Sequence, residues 1–413
     1  MLTVLLCKGH GIDSEELSLF NNEKVADINL FERTLINLAN EGYKEAILIC
    51  DNNNVSLEKL NKNHPDSKVQ IKTSLDNLPL ERDLLIIQNN VVINKKQLVN
   101  LIKTIRDENN SFVANDSEGK KSGIIFLKEK NCDSINLKLA DLSKFGDLLN
   151  KKNLIDPPKK LTLNEIGTDA SANFLFAHIS KNVSGWVSKN LNSKISIPIS
   201  KILVKMNLHP NLITFIVGCI GISCGFFYAS NLAFVGALVL EASTILDRCD
   251  GEVARIRLKE SKFGQWFDTA LDQLSYFSMF LGISICINNP KFFISSPEII
   301  ILKQISILNI LLYIMFLTII LFFMIRRTKN GSLAYYPKEV DSIIPVNKRS
   351  LFYRFISKFR FLLKREYFSP GMIFVSLIGY EFAIIISFIL LFFALIHLAS
   401  DYLEMNKKID ITY

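Results

Sequence analysis

The long apolar runs in the second half of the chain constrain its fold more than any other feature. Up to about residue 205, Lys, Asn, Asp and Glu are mixed with short apolar runs, whereas beyond it long apolar stretches alternate with charged segments. A helix needs about 20 apolar residues to cross a bilayer core of about 30 Å. The sequence therefore predicts a soluble N-terminal half followed by an all-α transmembrane half.

The apolar runs predict six spans, and the loops between them predict an orientation. The spans lie at about residues 211–229, 231–249, 266–287, 304–325, 367–382 and 383–402, the last two divided at Gly379-Tyr380-Glu381. Loops 250–265 and 326–366 are rich in Lys and Arg, whereas the alternate turns contain only Lys291 and Lys303. The positive-inside rule then places both termini and the N-terminal domain in the cytoplasm.

The chain carries a formal net charge of +8, and much of the excess flanks the apolar runs. That distribution favours a surface apposed to anionic lipid, or an anionic substrate. It does not favour nucleic acid, because no soluble segment interleaves basic residues with aromatic residues.

Residues 1–145 predict a soluble α/β domain. Apolar runs at 3–7, 42–51 and 81–90 indicate buried strands, and residues 29–40 and 95–107 show helical spacing. Strands that alternate with helices favour an open, mostly parallel sheet. Residues 146–170 contain Pro157-Pro158 and predict a linker. Residues 171–206 predict a basic amphipathic helix in the headgroup region, with a soluble helix on the α/β domain as the alternative.

Four aspartates lie where two apolar runs meet the membrane edge. Asp247 and Asp250 are three residues apart at the end of the predicted second span, and Asp268 and Asp272 are four apart at the start of the third. Each pair therefore shares one helix face. A carboxylate facing lipid costs at least about 2.5–3.5 kcal/mol. The four side chains are therefore expected to face inward and to meet cations.

Hard oxygen ligands with this charge predict a site for Mg²⁺, Mn²⁺ or Ca²⁺, with two ions. Gly251 and Gly264 lack side chains where a ligand must approach closely, and Arg255 offers a fork for a phosphate. Such a site at a membrane surface favours phosphoryl chemistry, in which a carboxylate not fully engaged with metal can accept a proton from an attacking hydroxyl. An inward ion-pair network in a transporter is the competing interpretation.

The same residues resemble the signature of the CDP-alcohol phosphotransferases. The pattern Asp-x2-Asp-Gly-x2-Ala-Arg-x8-Gly-x3-Asp-x3-Asp occupies residues 247–272 without departure at any of its eight positions. The resemblance implies Asp247, Asp250, Asp268 and Asp272 as metal ligands, with Asp272 also the general base. It implies a CDP site made of Gly251, Ala254, Arg255 and Gly264. The stretch "HPNLITFIV" (209–217) resembles the family's entry to its first span and adds Asn211 and Thr214 to that site.

The N-terminal domain resembles the sugar-phosphate nucleotidyltransferases in the order of its elements. That family opens with a Gly-rich phosphate loop, where this chain has only Lys8-Gly9-His10-Gly11. Its metal-binding aspartate corresponds to Asn89 or Asn90, and an amide brings no charge to Mg²⁺. The sequence therefore predicts a domain without nucleotidyltransferase activity.

The two-domain arrangement, with residues 207–405 as the membrane domain, resembles bifunctional inositol-phosphate enzymes. It implies a CDP-alcohol donor and a hydroxyl acceptor of polyol phosphate type, with Lys201, Lys205, Arg349 and Arg354 as candidates for the acceptor phosphate. A phospholipid synthase that uses CDP-diacylglycerol is one alternative. A non-catalytic, membrane-anchored nucleotide sensor is another. Membrane lipids are expected partners, and a homodimer is the candidate assembly.

Overall fold

The computed structural model describes residues 2–7, 23–43, 45–49, 57–72, 83–88, 90–116, 119–128, 149–154, 156–181, 187–294, 296–323, 325 and 350–406. It divides the chain into two compact units. The N-terminal unit contains residues 1–182 with 256–258, and the membrane unit contains residues 183–255 and 259–413.

The N-terminal unit alternates strands and helices, as predicted. Its strands are β1 Leu2–Cys7, β2 Lys24–Val25, β3 Ile28–Asn29, β4 Glu45–Ile49, β5 Lys68–Lys72, β6 Asp83–Gln88, β7 Val91–Val92, β8 Phe112–Asn115, β9 Lys121–Leu127, β10 Asn150–Asn153 and β11 Lys159–Lys160. Its helices are α1 Leu30–Asn40, α2 Glu58–Asn63, α3 Lys95–Arg106 and α4 Ala170–Lys181. Asn94 begins α3 with a capping box, in which its side chain accepts from the Gln97 amide, and this satisfies a free N–H group of the first turn.

Seven of the strands form one sheet in the order β10-β8-β9-β6-β1-β4-β5. Four neighbouring pairs are parallel and two are antiparallel, so the prediction of a mostly parallel sheet is confirmed. Apolar side chains of the central strands, such as Val4, Leu6 and Leu85, pack with Phe31 of α1 and Leu98 of α3. Burial on both sides explains why these strands are continuous apolar runs.

The segment predicted as a linker, residues 146–170, differs from a plain connection. It contains β10, which pairs parallel with β8, and β11, which pairs antiparallel with β7. Both strands are rich in Lys and Asn and partly exposed. Their place is decided by backbone hydrogen bonds at a sheet edge, for which the side-chain pattern gives little signal.

The membrane unit is helical. A π-helical turn, Ser188–Asn192, leads into α5 Ser193–Lys205, and then follow α6 Pro210–Ala229, α7 Ala233–Leu246, α8 Arg248–Ile256, α9 Lys262–Asn288, α10 Pro297–Phe323, α11 Leu351–Lys358, α12 Arg365–Ile378 and α13 Tyr380–Asn406. The predicted helix over 171–206 is therefore two helices, α4 and α5, and Trp186 lies outside the described residues.

Four described helices, rather than the predicted six, are long and apolar enough to cross a bilayer. They are α6, α9, α10 and α13. Helices α7 and α12 have 14 residues each, about 21 Å at 1.5 Å per residue, which is short of the bilayer core. Helix α7 ends at Leu246, and the polar residue Asp247 follows it. Gly379, with a φ of 154°, separates α12 from α13, close to the predicted division.

Small residues bring α6 against α9. A Cβ atom added to Gly221 would lie 2.3 Å from Ser275 Oγ, and one added to Gly282 would lie 2.2 Å from the Gly225 carbonyl oxygen. Backbones can approach this closely only where side chains are absent, which is a common way of packing helices in membranes. The contact fixes the start of α9, and with it the predicted aspartates, beside the start of α6.

Candidate active site

Two helix ends position the four aspartates. Asp247 caps the C-terminus of α7, where its amide donates to the Ser243 carbonyl oxygen at 2.9 Å, and Asp250 lies in the first turn of α8. Ser261 caps α9 by accepting from the Gly264 amide at 3.0 Å. Helical spacing then places Asp268 and Asp272 on one face of α9.

Three of the four predicted ligands converge. One carboxylate oxygen from each of Asp247, Asp268 and Asp272 lies within 4.8 Å of the other two. The buried Oδ1 atom of Asp268 has no hydrogen-bond partner. Three carboxylates with an unpaired buried oxygen make a donor set that fits a hard divalent cation such as Mg²⁺ or Mn²⁺.

Asp250 lies outside this group of three. Its side chain is 8% exposed and accepts hydrogen bonds from the Thr214 hydroxyl and the Gly251 amide. Burial raises the pKa of the Asp250 carboxyl above its usual range, and the neighbouring Asp247 carboxylate adds to the increase. A nearby cation would reverse this effect, because opposite charge favours the ionised carboxyl.

Arg365, at the start of α12, contacts the group directly and was missed as a site residue by the sequence interpretation. Its guanidinium lies 2.9 Å from Asp247 Oδ2 and pairs with Asp272. Its Nε atom donates to Thr244 Oγ1 at 3.1 Å. The sequence signal was weak, because Arg365 is one of many basic residues in the predicted loop 326–366.

The predicted CDP-binding residues lie around the same two helix ends. A Cβ atom added to Gly264 would lie 3.3 Å from Asn211 Oδ1 at the start of α6. One added to Gly251 would lie 3.2 Å from the Arg255 guanidinium. The Arg255 side chain is half exposed, with Glu260 at 3.9 Å. Ala254 is half-buried on α8.

The structure describes three of the four predicted acceptor-phosphate residues. Lys201 is half-buried and Lys205 exposed on α5, Arg354 is exposed on α11, and Arg349 lies outside the described residues. Among the residues that the structure describes, Arg365 is a basic side chain that contacts Asp247 and Asp272.

Known proteins similar to this chain match it in the membrane unit. Residues 207–338 match the family model of CDP-alcohol phosphatidyltransferase. A "Bifunctional IPC transferase and DIPP synthase" of Aquifex aeolicus is 34% identical over 103 residues, 24% of this chain and 23% of that protein. An "Archaetidylinositol phosphate synthase" of Pyrococcus horikoshii is 35% identical over 88 residues, 21% of this chain and 46% of that protein. The matched segments thus span less than half of each relative.

A crystal structure of the phosphatidylinositol phosphate synthase of Mycobacterium tuberculosis aligns with 48% of this chain and 94% of that one, at 18% identity. Its TM-score of 0.29 is too low to support a conclusion about fold or function. The family match contains all eight motif positions, and the same region contains long apolar helices. This integral membrane protein therefore carries a CDP-alcohol phosphatidyltransferase domain in residues 207–338.

Proposed function

We propose that the chain is a divalent-metal-dependent transferase. It moves a phosphoalcohol group from a CDP-activated donor to a hydroxyl acceptor and releases CMP. The observation that carries the proposal is the convergence of Asp247, Asp268 and Asp272 within 4.8 Å, inside the segment that matches the CDP-alcohol phosphatidyltransferase family.

Each motif residue has a role in this proposal. Asp247, Asp250 and Asp268 would hold a pair of divalent ions, and Asp272 would be both ligand and base. When bound, Mg²⁺ or Mn²⁺ would neutralise charge on the donor diphosphate. The glycines at 251 and 264 leave room for CDP.

Asn211 and Thr214 at the start of α6, with Ala254 and Arg255 on α8, line the CDP site. Arg255 is half exposed, so its fork can meet a phosphate that arrives from solvent.

The proposed transfer is a single nucleophilic displacement at phosphorus. The acceptor oxygen forms a bond to the phosphorus atom that bears the donor alcohol, and the bond from that phosphorus to the bridging oxygen breaks. CMP leaves with the bridging oxygen, and the proton of the acceptor hydroxyl passes to an Asp272 carboxylate oxygen. Arg365 contacts both Asp247 and Asp272, so it orients the base.

We further propose that the N-terminal unit and the site are cytoplasmic. The support is the charge of the loops, since Lys and Arg concentrate in 250–265 and 326–366, and short basic loops remain on the cytoplasmic side.

The donor is a soluble CDP-polyol, with a polyol phosphate as acceptor. The support is the similarity of the membrane domain to proteins named bifunctional IPC transferase and DIPP synthase, together with a fused N-terminal α/β unit. A phospholipid synthase that uses CDP-diacylglycerol is the rival, and its donor would enter from the lipid side.

One assay separates these donors. Detergent-purified protein with Mg²⁺ receives radiolabelled CDP-inositol or CDP-diacylglycerol, each with inositol phosphate or glycerol phosphate as acceptor. We expect CMP release and a water-soluble phosphodiester. A chloroform-extractable product would support the rival, and no CMP with any donor, under conditions where the protein is folded, would overturn the transferase proposal.

A further inference from the structure

The segment Ser188–Lys205 buries its serines, whereas some of its apolar side chains are exposed. The exposed apolar residues are Leu191, Ile195 and Ile202. Ser196 and Ser200 are fully buried on the other side. The exposed apolar face suits the lipid boundary, so the serine face is the one that contacts protein.

The serine face binds a buried carboxylate on α8. Glu252 is 1% exposed, and its Oε1 and Oε2 atoms accept from the Ser196 and Ser200 hydroxyls, each at 2.7 Å. Arg248, one turn earlier on α8, lies 3.4 Å from Glu252 Oε1 and donates to the Ser188 hydroxyl. A buried charge is tolerated only when it is paired and hydrogen-bonded in this way.

Glu252 and Asp250 lie on opposite sides of the same short helix. They are two residues apart, about 200° around a helix of 3.6 residues per turn. Asp250 points toward Thr214 on α6, whereas Glu252 points toward α5. Asp247 immediately precedes the helix. The rotation and tilt of α8 therefore depend on both contacts, and they set where Asp247 and Asp250 direct their oxygens.

We propose that Glu252, supported by Arg248, is a positioning residue that fixes α8 against the Ser188–Lys205 segment and so holds Asp247 and Asp250 in ligand geometry. The inference rests on the proposed function, in which these aspartates hold the metal. Glu252 itself faces away from the aspartate group.

The test measures metal binding directly, because a purely stabilising contact would change thermal stability without changing metal affinity in the folded protein. Mn²⁺ binding to the detergent-purified full chain is followed by electron paramagnetic resonance for wild type, Glu252→Ala, Glu252→Gln and the double variant S196A/S200A. We expect about a 10-fold weaker affinity for Glu252→Ala and for S196A/S200A, the lower end of what partners of metal ligands contribute. Glu252→Gln retains one acceptor oxygen and should recover part of the loss.

The matched control is the double variant S284A/S306A. It removes another buried pair of serine hydroxyls, 3.2 Å apart between α9 and α10, and should leave Mn²⁺ affinity within twofold of wild type. Should Glu252→Ala not fold, S196A/S200A decides the question, since it removes only two hydroxyls. Wild-type affinity in the folded S196A/S200A variant would overturn the inference alone. Absence of Mn²⁺ binding in wild type would overturn the proposed metal dependence and this inference with it.

Discussion

Two buried carboxylates of the N-terminal unit serve a different purpose from the three half-buried aspartates that converge in the membrane unit. In the N-terminal unit, Glu32 accepts from the Lys59 and Leu60 amides at 2.8 and 3.1 Å. Glu23 accepts from the Gly167 amide and the Ser171 hydroxyl, both at 2.9 Å. These carboxylates accept hydrogen bonds at the ends of helices and loops, so their charge is compensated inside the fold.

In the membrane unit, by contrast, Asp247, Asp268 and Asp272 face one another. Arg365 offsets part of their charge, but a buried oxygen of Asp268 has no partner. Like charges at this distance repel. We infer that a carboxylate whose partners lie within the fold contributes to stability. A carboxylate that faces other carboxylates is instead available to bind a ligand.

The largest expected effect comes from removing the charge of one motif aspartate. Asp250→Asn and Asp268→Asn should each lower CMP release by at least about 1,000-fold, because metal stabilisation of transferred charge is worth several kcal/mol. Both variants should still insert and fold. Near-normal turnover of either variant at saturating Mg²⁺ would contradict the conclusion that the carboxylates of the membrane unit serve a bound ligand.

Asp272→Asn should lower turnover by about 100- to 10,000-fold, the usual contribution of a general base. Affinity for the CDP-alcohol should change far less, because a base acts on the acceptor. The measurement compares kcat with the dissociation constant of the donor. Loss of donor affinity alone would show that Asp272 is only a ligand.

Arg365→Gln should lower turnover by about 10- to 100-fold, the range for groups that orient metal ligands. The loss of its contacts to Asp247 and Asp272 leaves the carboxylates without their internal cation. Arg365→Lys keeps the charge but not the planar fork, and should fall between wild type and Gln. Equal turnover of the three proteins at all Mg²⁺ concentrations would contradict this role.

Glu32→Gln tests whether a hydrogen-bonded carboxylate of the N-terminal unit contributes to stability. It should lower the free energy of unfolding of the N-terminal unit by about 1 kcal/mol, because the Gln amide oxygen can still accept both hydrogen bonds but lacks the charge that strengthens them. Transfer activity should remain at the wild-type level. Thermal unfolding monitored by limited proteolysis supplies the measurement, and Glu58→Gln, on an exposed side chain, is the control, with an expected change within about 0.5 kcal/mol.

The last prediction is that the N-terminal unit shows no nucleotidyltransferase activity. The full chain, given CTP, Mg²⁺ and inositol phosphate, should release no pyrophosphate. At the position where the resemblance places a metal aspartate, Asn90 is buried and donates to the Leu161 carbonyl oxygen at 3.2 Å, while Asn89 and the segment Lys8–Gly11 lie outside the described residues. Sustained pyrophosphate release would show that the N-terminal unit also carries chemistry.

Local sequence patterns predicted several of the elements of the N-terminal unit. The predicted helix over 95–107 corresponds to Lys95–Arg106, and the strand within 81–90 to Asp83–Gln88. Apolar runs and helical spacing report burial directly, so elements with a buried face leave a clear signal. Strand β10, Asn-Lys-Lys-Asn, leaves no such signal because it pairs through its backbone at an edge.

The sequence by itself determined which residues form the aspartate motif and that Asp268 and Asp272 share one face of α9, because spacing within one helix is a local property. The predicted shared face of Asp247 and Asp250 was wrong, because α7 ends at Leu246 and Asp250 belongs to the next helix, α8. Only the tertiary structure decided that Asp250 turns to Thr214, that Arg365 reaches Asp272 across 93 residues, and that Glu252 binds serines more than 50 residues earlier. These contacts depend on how closely and at what rotation helices pack. That is set by glycines and serines spread over several helices, and no single stretch of sequence specifies it.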